Sequence, residues 1–209
     1  MENLFTAAYR CIMLCDPGEK VDQTRLVVQR WREGRLTAES DEPPKSIEIP
    51  GRPEKPVLVN PRVLPRRSFH TPEGRAALLH AITHIEFNAI NLALDAVYRF
   101  RDLPLEYYSD WFKVADEEAQ HFTLLFQSIY DDLSVDVLNV ILKEEVGHVE
   151  IGSRWFHWFC DQRGLPREKT YLDLMQQYAQ GRVKPPLDRE ARRAAGFTEQ
   201  ELQYLEGLL

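Results

Sequence analysis

The sequence predicts an all-α protein. Three observations carry that expectation: apolar residues recur at alternating steps of three and four over three long segments, helix start and stop signals bracket them, and strand-like alternation is nearly absent. With 209 residues, 44% of them hydrophobic and only ten glycines, the chain can bury one core of ordinary size.

Residues 3–15 and 21–33 have the spacing of two short helices, separated by Asp16-Pro17-Gly18 and closed by Gly34. They are expected to pack as accessories. From Glu42 to Pro65, prolines at 43, 44, 50, 53, 56, 61 and 65 remove backbone donors and rule out helix. This stretch is an extended arm that either links domains or lies across the bundle, where Val57, Leu58 and Val59 could pack. Thr71-Pro72-Glu73 then supplies a capping hydroxyl, a proline at the first helical position and an early acid, which opens a long helix over 72–100. A second is expected over 104–132 and a third over 134–162, with Ser134 as its N-cap and Gly164 and Pro166 as its stop. Another follows near 168–180, then a Pro185-Pro186 break and a last helix opened by the capping box Thr198…Glu201. The chain thus divides into N-terminal helices and arm (1–70), a central bundle (71–165) and a C-terminal helical extension (166–209).

The formal charge of -7 argues against a general nucleic-acid binder, and Arg62, Arg66 and Arg67 read as a solvated basic cluster. Cys11, Cys15 and Cys160 are too few for a disulfide framework and lack the second pair of a zinc knuckle, which fits a reducing cytoplasm. Glu2 and Arg10 break the layout of a secretory signal, and no stretch approaches the ~20 apolar residues that span a bilayer. A soluble cytoplasmic protein without a membrane partner is expected.

Each long helix carries an acid at the centre of its apolar stripe. The stripes read Leu79, Ile82, Glu86, Ala89, Ala93; Trp111, Val114, Glu118, His121, Leu125; and Leu138, Ile141, Glu145, His148, Gly152, Trp155. An ionised carboxylate withdrawn from water without a partner costs several kcal/mol, against a total stability of ~5–15 kcal/mol, so three such acids need a compensating charge. A spacing of three stacks Glu118 with His121 and Glu145 with His148, so that each pair offers an oxygen and an imidazole on one face. A divalent metal would satisfy all five groups. Mixed carboxylate and imidazole without thiolate suits iron or manganese, with zinc compatible and calcium disfavoured. The competing reading is ordinary acids on partly wet faces, paired with Lys113, Arg154 or each other. Glu117, Glu144 and Glu150 flank the stripes and read as surface.

A second face of the first long helix carries His80, His84, Asn88, Asn91 and Asp95. His80 and His84 could grip zinc, but the blander expectation is a polar network against the N-terminal helices, or His80, His84 and Asn88 buttressing the metal ligands from behind. His70 and His157 read as incidental, and Tyr98, Tyr108 and Tyr130 as packing or interface aromatics, with a redox role the lesser alternative.

The segments GRPEKPVLVNPRVLPRR, TPEGRAALLHAITHIEFNAINLALD, VADEEAQHF, LKEEVGHVEIGSRWF and EARRAAGFTEQEL resemble the ferritin-like "domain of unknown function 455" family over nearly the whole chain. The resemblance implies a ferritin-like antiparallel helical bundle with a di-iron site on Glu86, Glu118, His121, Glu145 and His148. Two iron ions follow if the bundle is complete. Family members have several dozen residues between the second and last metal-binding helices, with a further helix expected to carry another Glu. Here Tyr130-Asp131-Asp132-Leu133 runs into Ser134, so one core helix is missing from that pattern. A deletion, a partner chain that completes the bundle and an omitted stretch each account for it. The function expected is an oxygen- or peroxide-activating oxidoreductase. Its substrate would be a small molecule or modified nucleotide, and a homo-oligomer is compatible. The alternative is a non-catalytic metal-handling or structural interaction protein.

Overall fold

The computed structural model describes residues 2–40, 42–60, 70–128, 134–178 and 187–207. The Arg62, Arg66 and Arg67 cluster, Tyr130, the connection through Leu133 and the Pro185-Pro186 break lie outside them. Among the described residues the protein is an all-α helical bundle. Its elements are β1 (Glu2–Asn3), α1 (Leu4–Met13), α2 (Pro17–Arg32), β2 (Leu36–Thr37), α3 (Pro72–Arg99), α4 (Leu105–Ser128), α5 (Ser134–Gln162), α6 (Arg167–Tyr178), α7 (Arg189–Ala194) and α8 (Glu199–Gly207). No helix among them is long and apolar enough to cross a membrane. The chain forms two compact units, Met1–Asn139 and Val140–Leu209.

In the first unit α3 packs along α4, while α1 lies on α3 and α2 on α4. Thr71 caps α3 by accepting from the Gly74 N–H at 3.1 Å, with Pro72 in the first turn, as the Thr-Pro-Glu signal predicts. The helix expected over 21–33 starts earlier, at Pro17. Asp16 accepts from the Glu19 N–H at 2.9 Å, so Asp16-Pro17 is an N-cap and first-turn proline rather than a separating turn. Asn3 caps α1 in the same way, through Phe5 N and Thr6 N. β1 and β2 form a two-residue parallel pair, Glu2 with Leu36 and Asn3 with Thr37, too short to leave a pattern in the sequence.

Both accessory helices belong to the core: Leu4, Phe5, Ile12, Val27 and Val28 are buried with Ile90, Leu94, Phe112 and Leu125. The arm is tied to them at two points. The Lys45 N–H donates to the Tyr98 hydroxyl at 2.8 Å, and the Gly51 N–H donates to Ile12 O at 2.9 Å. At Gly51 a Cβ would lie 2.2 Å from Met13 O and 2.5 Å from Leu14 O, and these are backbone atoms that cannot swing away. Gly51→Ala is therefore expected to cost about 1–3 kcal/mol, or to undock the arm. Thermal melting and limited proteolysis of residues 42–60 would read either result, and an unchanged melt and digest would refute the tight fit. Of Val57, Leu58 and Val59, which are 73%, 54% and 50% exposed, Leu58 alone lines a cavity beside α3 and α4, so the expected packing is partial.

In the second unit α8 packs against α6 and α7. The capping box is present: Glu201 N donates to Thr198 Oγ1 at 3.2 Å and Thr198 N to Glu201 Oε2 at 2.8 Å. Gly164, at φ 61°, ends α5, with Leu165 N donating back to Cys160 O at 2.8 Å. The short helix α7 was not expected from the sequence. Asp188 caps it through Ala191 N, a signal hidden by the prolines just before it.

Candidate metal centre

In the first unit two neighbouring helices bring three stripe residues together. Glu86 lies at the middle of α3, and Glu118 and His121 lie one turn apart on α4. All three are buried, at 4%, 4% and 0% exposure. His121 Nδ1 is 3.3 Å from Glu118 Oε2 and 3.6 Å from Glu86 Oε2, and one donor atom of each residue lies within 4.8 Å of the others. Burial raises the Glu86 carboxyl to about 7; contact with Glu118 and its charge add to the rise, and His121 opposes it. The rise comes first from withdrawal of the carboxyl from water and then from the second acid beside it.

The donor set fits a divalent cation. It combines two carboxylates and one imidazole without thiolate, all three buried, and could hold a metal ion. The neighbouring acids are engaged elsewhere: Glu117 pairs with Lys113 at 2.8 Å and Glu150 with Arg154 at 3.3 Å. The surface-pair reading thus describes these flanking acids.

In the second unit Glu145 and His148 lie one turn apart on α5, with His148 Nδ1 3.6 Å from Glu145 Oε1. The two differ in exposure: the His148 side chain is 8% exposed and that of Glu145 41%. The expectation that all three stripe acids are withdrawn from water therefore holds for Glu86 and Glu118 and is corrected for Glu145. A stripe at steps of three and four fixes the face of a helix but not the depth of each residue on it.

The polar face of α3 divides. Asn88 donates to His84 O at 2.7 Å and approaches His84 Nδ1 at 3.3 Å, so these two residues bond within their own helix. Asn91 accepts from Lys20 Nζ at 2.7 Å. Lys20 is fully buried and also donates to Cys11 O at 3.0 Å and Ile12 O at 2.7 Å, the last carbonyls of α1. That network was missed from the sequence because one lysine within a charged helix reads as surface. The signal available was its spacing of four from Thr24 and of seven and eight from Val27 and Val28, which places it on the buried face. Tyr98 and Tyr108 are core aromatics at 7% and 1% exposure, and His157 approaches Glu201 at 3.9 Å.

The fold and this trio define an all-α protein with a buried carboxylate–imidazole group that could hold a metal ion. The chain belongs to the family described as "Protein of unknown function (DUF455)", whose family model matches residues 13–130 and 125–203. A protein from Haemophilus influenzae, itself described as uncharacterized, is 34% identical over 73% of this chain and 75% of its own length. No solved structure matches the chain.

Proposed function

We propose that the chain is a ferritin-like di-iron or di-manganese carboxylate protein, an oxidoreductase that activates oxygen or peroxide. The observation that carries this reading is the buried trio Glu86, Glu118 and His121. Residues 71–165 would form the metal-binding bundle, with Glu145 and His148 adding a second Glu-x-x-His pair to the ligand set. When bound, iron or manganese would supply redox electrons and a Lewis acid in a site of low polarity. The chain's own part is to hold the ligands, neutralise charge and keep water out. Glu86 and Glu118 contribute the negative charge, and His121 and His148 contribute neutral donors.

The family match breaks at residues 125–130, next to the short connection into Ser134, which supports a missing stretch there. Five protein ligands hold one ion well, and a second ion needs ligands beyond these five. A metal-to-protein ratio of two would therefore point to ligands beyond these five, from a partner chain or from a stretch outside this sequence.

Wild-type protein produced with ample iron and manganese is expected to retain one or the other through gel filtration, and to take up oxygen when given a reductant. Elemental analysis and an oxygen electrode measure both. Protein that binds neither metal would sink the proposal. Bound metal without oxygen uptake would favour the metal-handling reading.

A further inference from the structure

Residues 52–58 of the arm close one side of a cavity of about 190 Å³ whose other side is α3 and α4. Its inner wall is aromatic. The rings of Phe87 and Phe122 lie 5.9 Å apart, and Phe122 stacks on Phe126 at 6.0 Å with an interplanar angle of 18°. Such a wall favours a flat apolar body laid against it. The volume suits one ring system, since a dry cavity of about 150 Å³ in a protein interior accepts benzene.

The charged groups of the lining are cations, and its neutral polar side chains include Thr83 and Asn88, which donate to Leu79 O and His84 O within their own helix. Arg52 and Lys55 come from the arm, His80 and His84 from α3, and no carboxylate is among the described lining residues. Neither Arg52 nor Lys55 has an acidic partner among the described residues. Asn88 Nδ2 lies 3.3 Å from His84 Nδ1, so that face of the ring is turned to its own helix. A ligand that complements this lining carries a negative charge at one end, because two cations beside an apolar wall attract an anion and repel a cation. The arm is held in place for this purpose by Gly51, whose N–H bonds Ile12 O at 2.9 Å one residue before Arg52.

We infer that this cavity is a binding site for a small aromatic acid, with its ring against Phe87, Phe122 and Phe126 and its carboxylate at Arg52 and Lys55. The site belongs wholly to the first unit and does not depend on a metal. Phe87 and Phe122 directly follow Glu86 and His121 in the chain, so the bound acid is also a candidate substrate for the proposed centre. That last step rests on the metal reading, whereas the binding site stands without it.

The test is a fluorine NMR titration of wild-type protein with 4-fluorobenzoate, compared with 4-fluorobenzyl alcohol and 4-fluorobenzylamine. Saturable one-to-one binding of the acid is expected, at least about tenfold tighter than the amine. Arg52→Gln with Lys55→Gln, both at exposed positions, should weaken the acid about tenfold while changing the alcohol little. His80→Trp, at an exposed position on the rim, should fill the mouth and weaken both acid and alcohol. Circular dichroism and a melting curve confirm that each variant is folded. Absence of saturable binding overturns the inference, and so does equal affinity for acid and amine or an unchanged affinity in the double variant. Repeating the titration after chelation separates the two readings: unchanged affinity supports a metal-independent site, and loss of affinity on chelation overturns that independence.

Discussion

Lys20→Met is expected to destabilise the protein by about 3 kcal/mol near neutral pH, since hydrogen bonds to charged groups contribute about 1.5–3 kcal/mol each and not all of this is lost. The lysine is fully buried, its Nζ bonds Cys11 O, Ile12 O and Asn91 Oδ1, and it lies 5.2 Å from the centre of the Phe87 ring. Methionine fills a similar volume but donates nothing. Ile12 O keeps the Gly51 N–H and Cys11 O keeps the Leu14 N–H at 3.3 Å, so the heaviest loss falls on Asn91.

The same lysine gives a pH signature. Burial lowers its pKa from 10.5 to about 8 in the folded protein. Between these values the unfolded chain binds the proton and the folded one does not, so the contribution of Lys20 to stability rises with pH across that window. Below about 8 both states are protonated and the slope vanishes. Cys11, pushed up to about 11 by burial, acts in the opposite sense; the Lys20 charge opposes that rise, so losing the lysine can only push the thiol further up and does not narrow the gap. The stability gap between wild type and Lys20→Met should therefore widen by about 2 kcal/mol from about pH 7.5 to about pH 9.5. Denaturant unfolding of both proteins at the two pH values measures it. A constant gap would mean that the three acceptors offset the burial and hold the proton.

Much of the fold was legible because its signals are local. Thr71-Pro72 and Thr198…Glu201 state helix starts in the side chains that make them, and the structure shows both bonds. Glu86, Glu118 and His121 were legible for a different reason: an acid on an apolar stripe conflicts with its surroundings, and the conflict points to something shared among helices. What escaped is what depends on depth or on distant partners. Glu145 has the same stripe position as Glu118, yet its side chain is 41% exposed where Glu118's is 5%. Lys20 and Asn91 are 71 residues apart, and neither suggests the other until α2 and α3 are packed with α1. The apolar run misled at Val57 and Val59 because hydrophobicity was read as burial, although exposed apolar residues are common on protein surfaces. The arm's grip comes instead from Gly51, where the absence of a side chain lets two backbones approach.

Glu86→Gln should change stability in opposite directions with and without metal. Without metal, Glu86 and Glu118 are two buried acids sharing one histidine, and burial holds the Glu86 carboxyl near 7. An amide of the same shape removes one of two mutually repelling charges, so the metal-free variant should melt at or above the metal-free wild type. With iron(II) or manganese(II) present at about one hundred times the dissociation constant, wild type should gain about 2.7 kcal/mol by mass action, and the variant much less because it has lost a charged ligand. The order of stability then reverses. Glu118→Gln should behave alike, since Glu118 approaches the same imidazole nitrogen, His121 Nδ1, at 3.3 Å. Melting curves of the three proteins, with a chelator and with each metal, decide the matter. If the acids serve instead to pair with a protonated His121, both glutamine variants lose stability in the chelator and metal shifts none of the three curves. That pattern would make the trio a structural ion-pair cluster and would end the metal proposal for this chain.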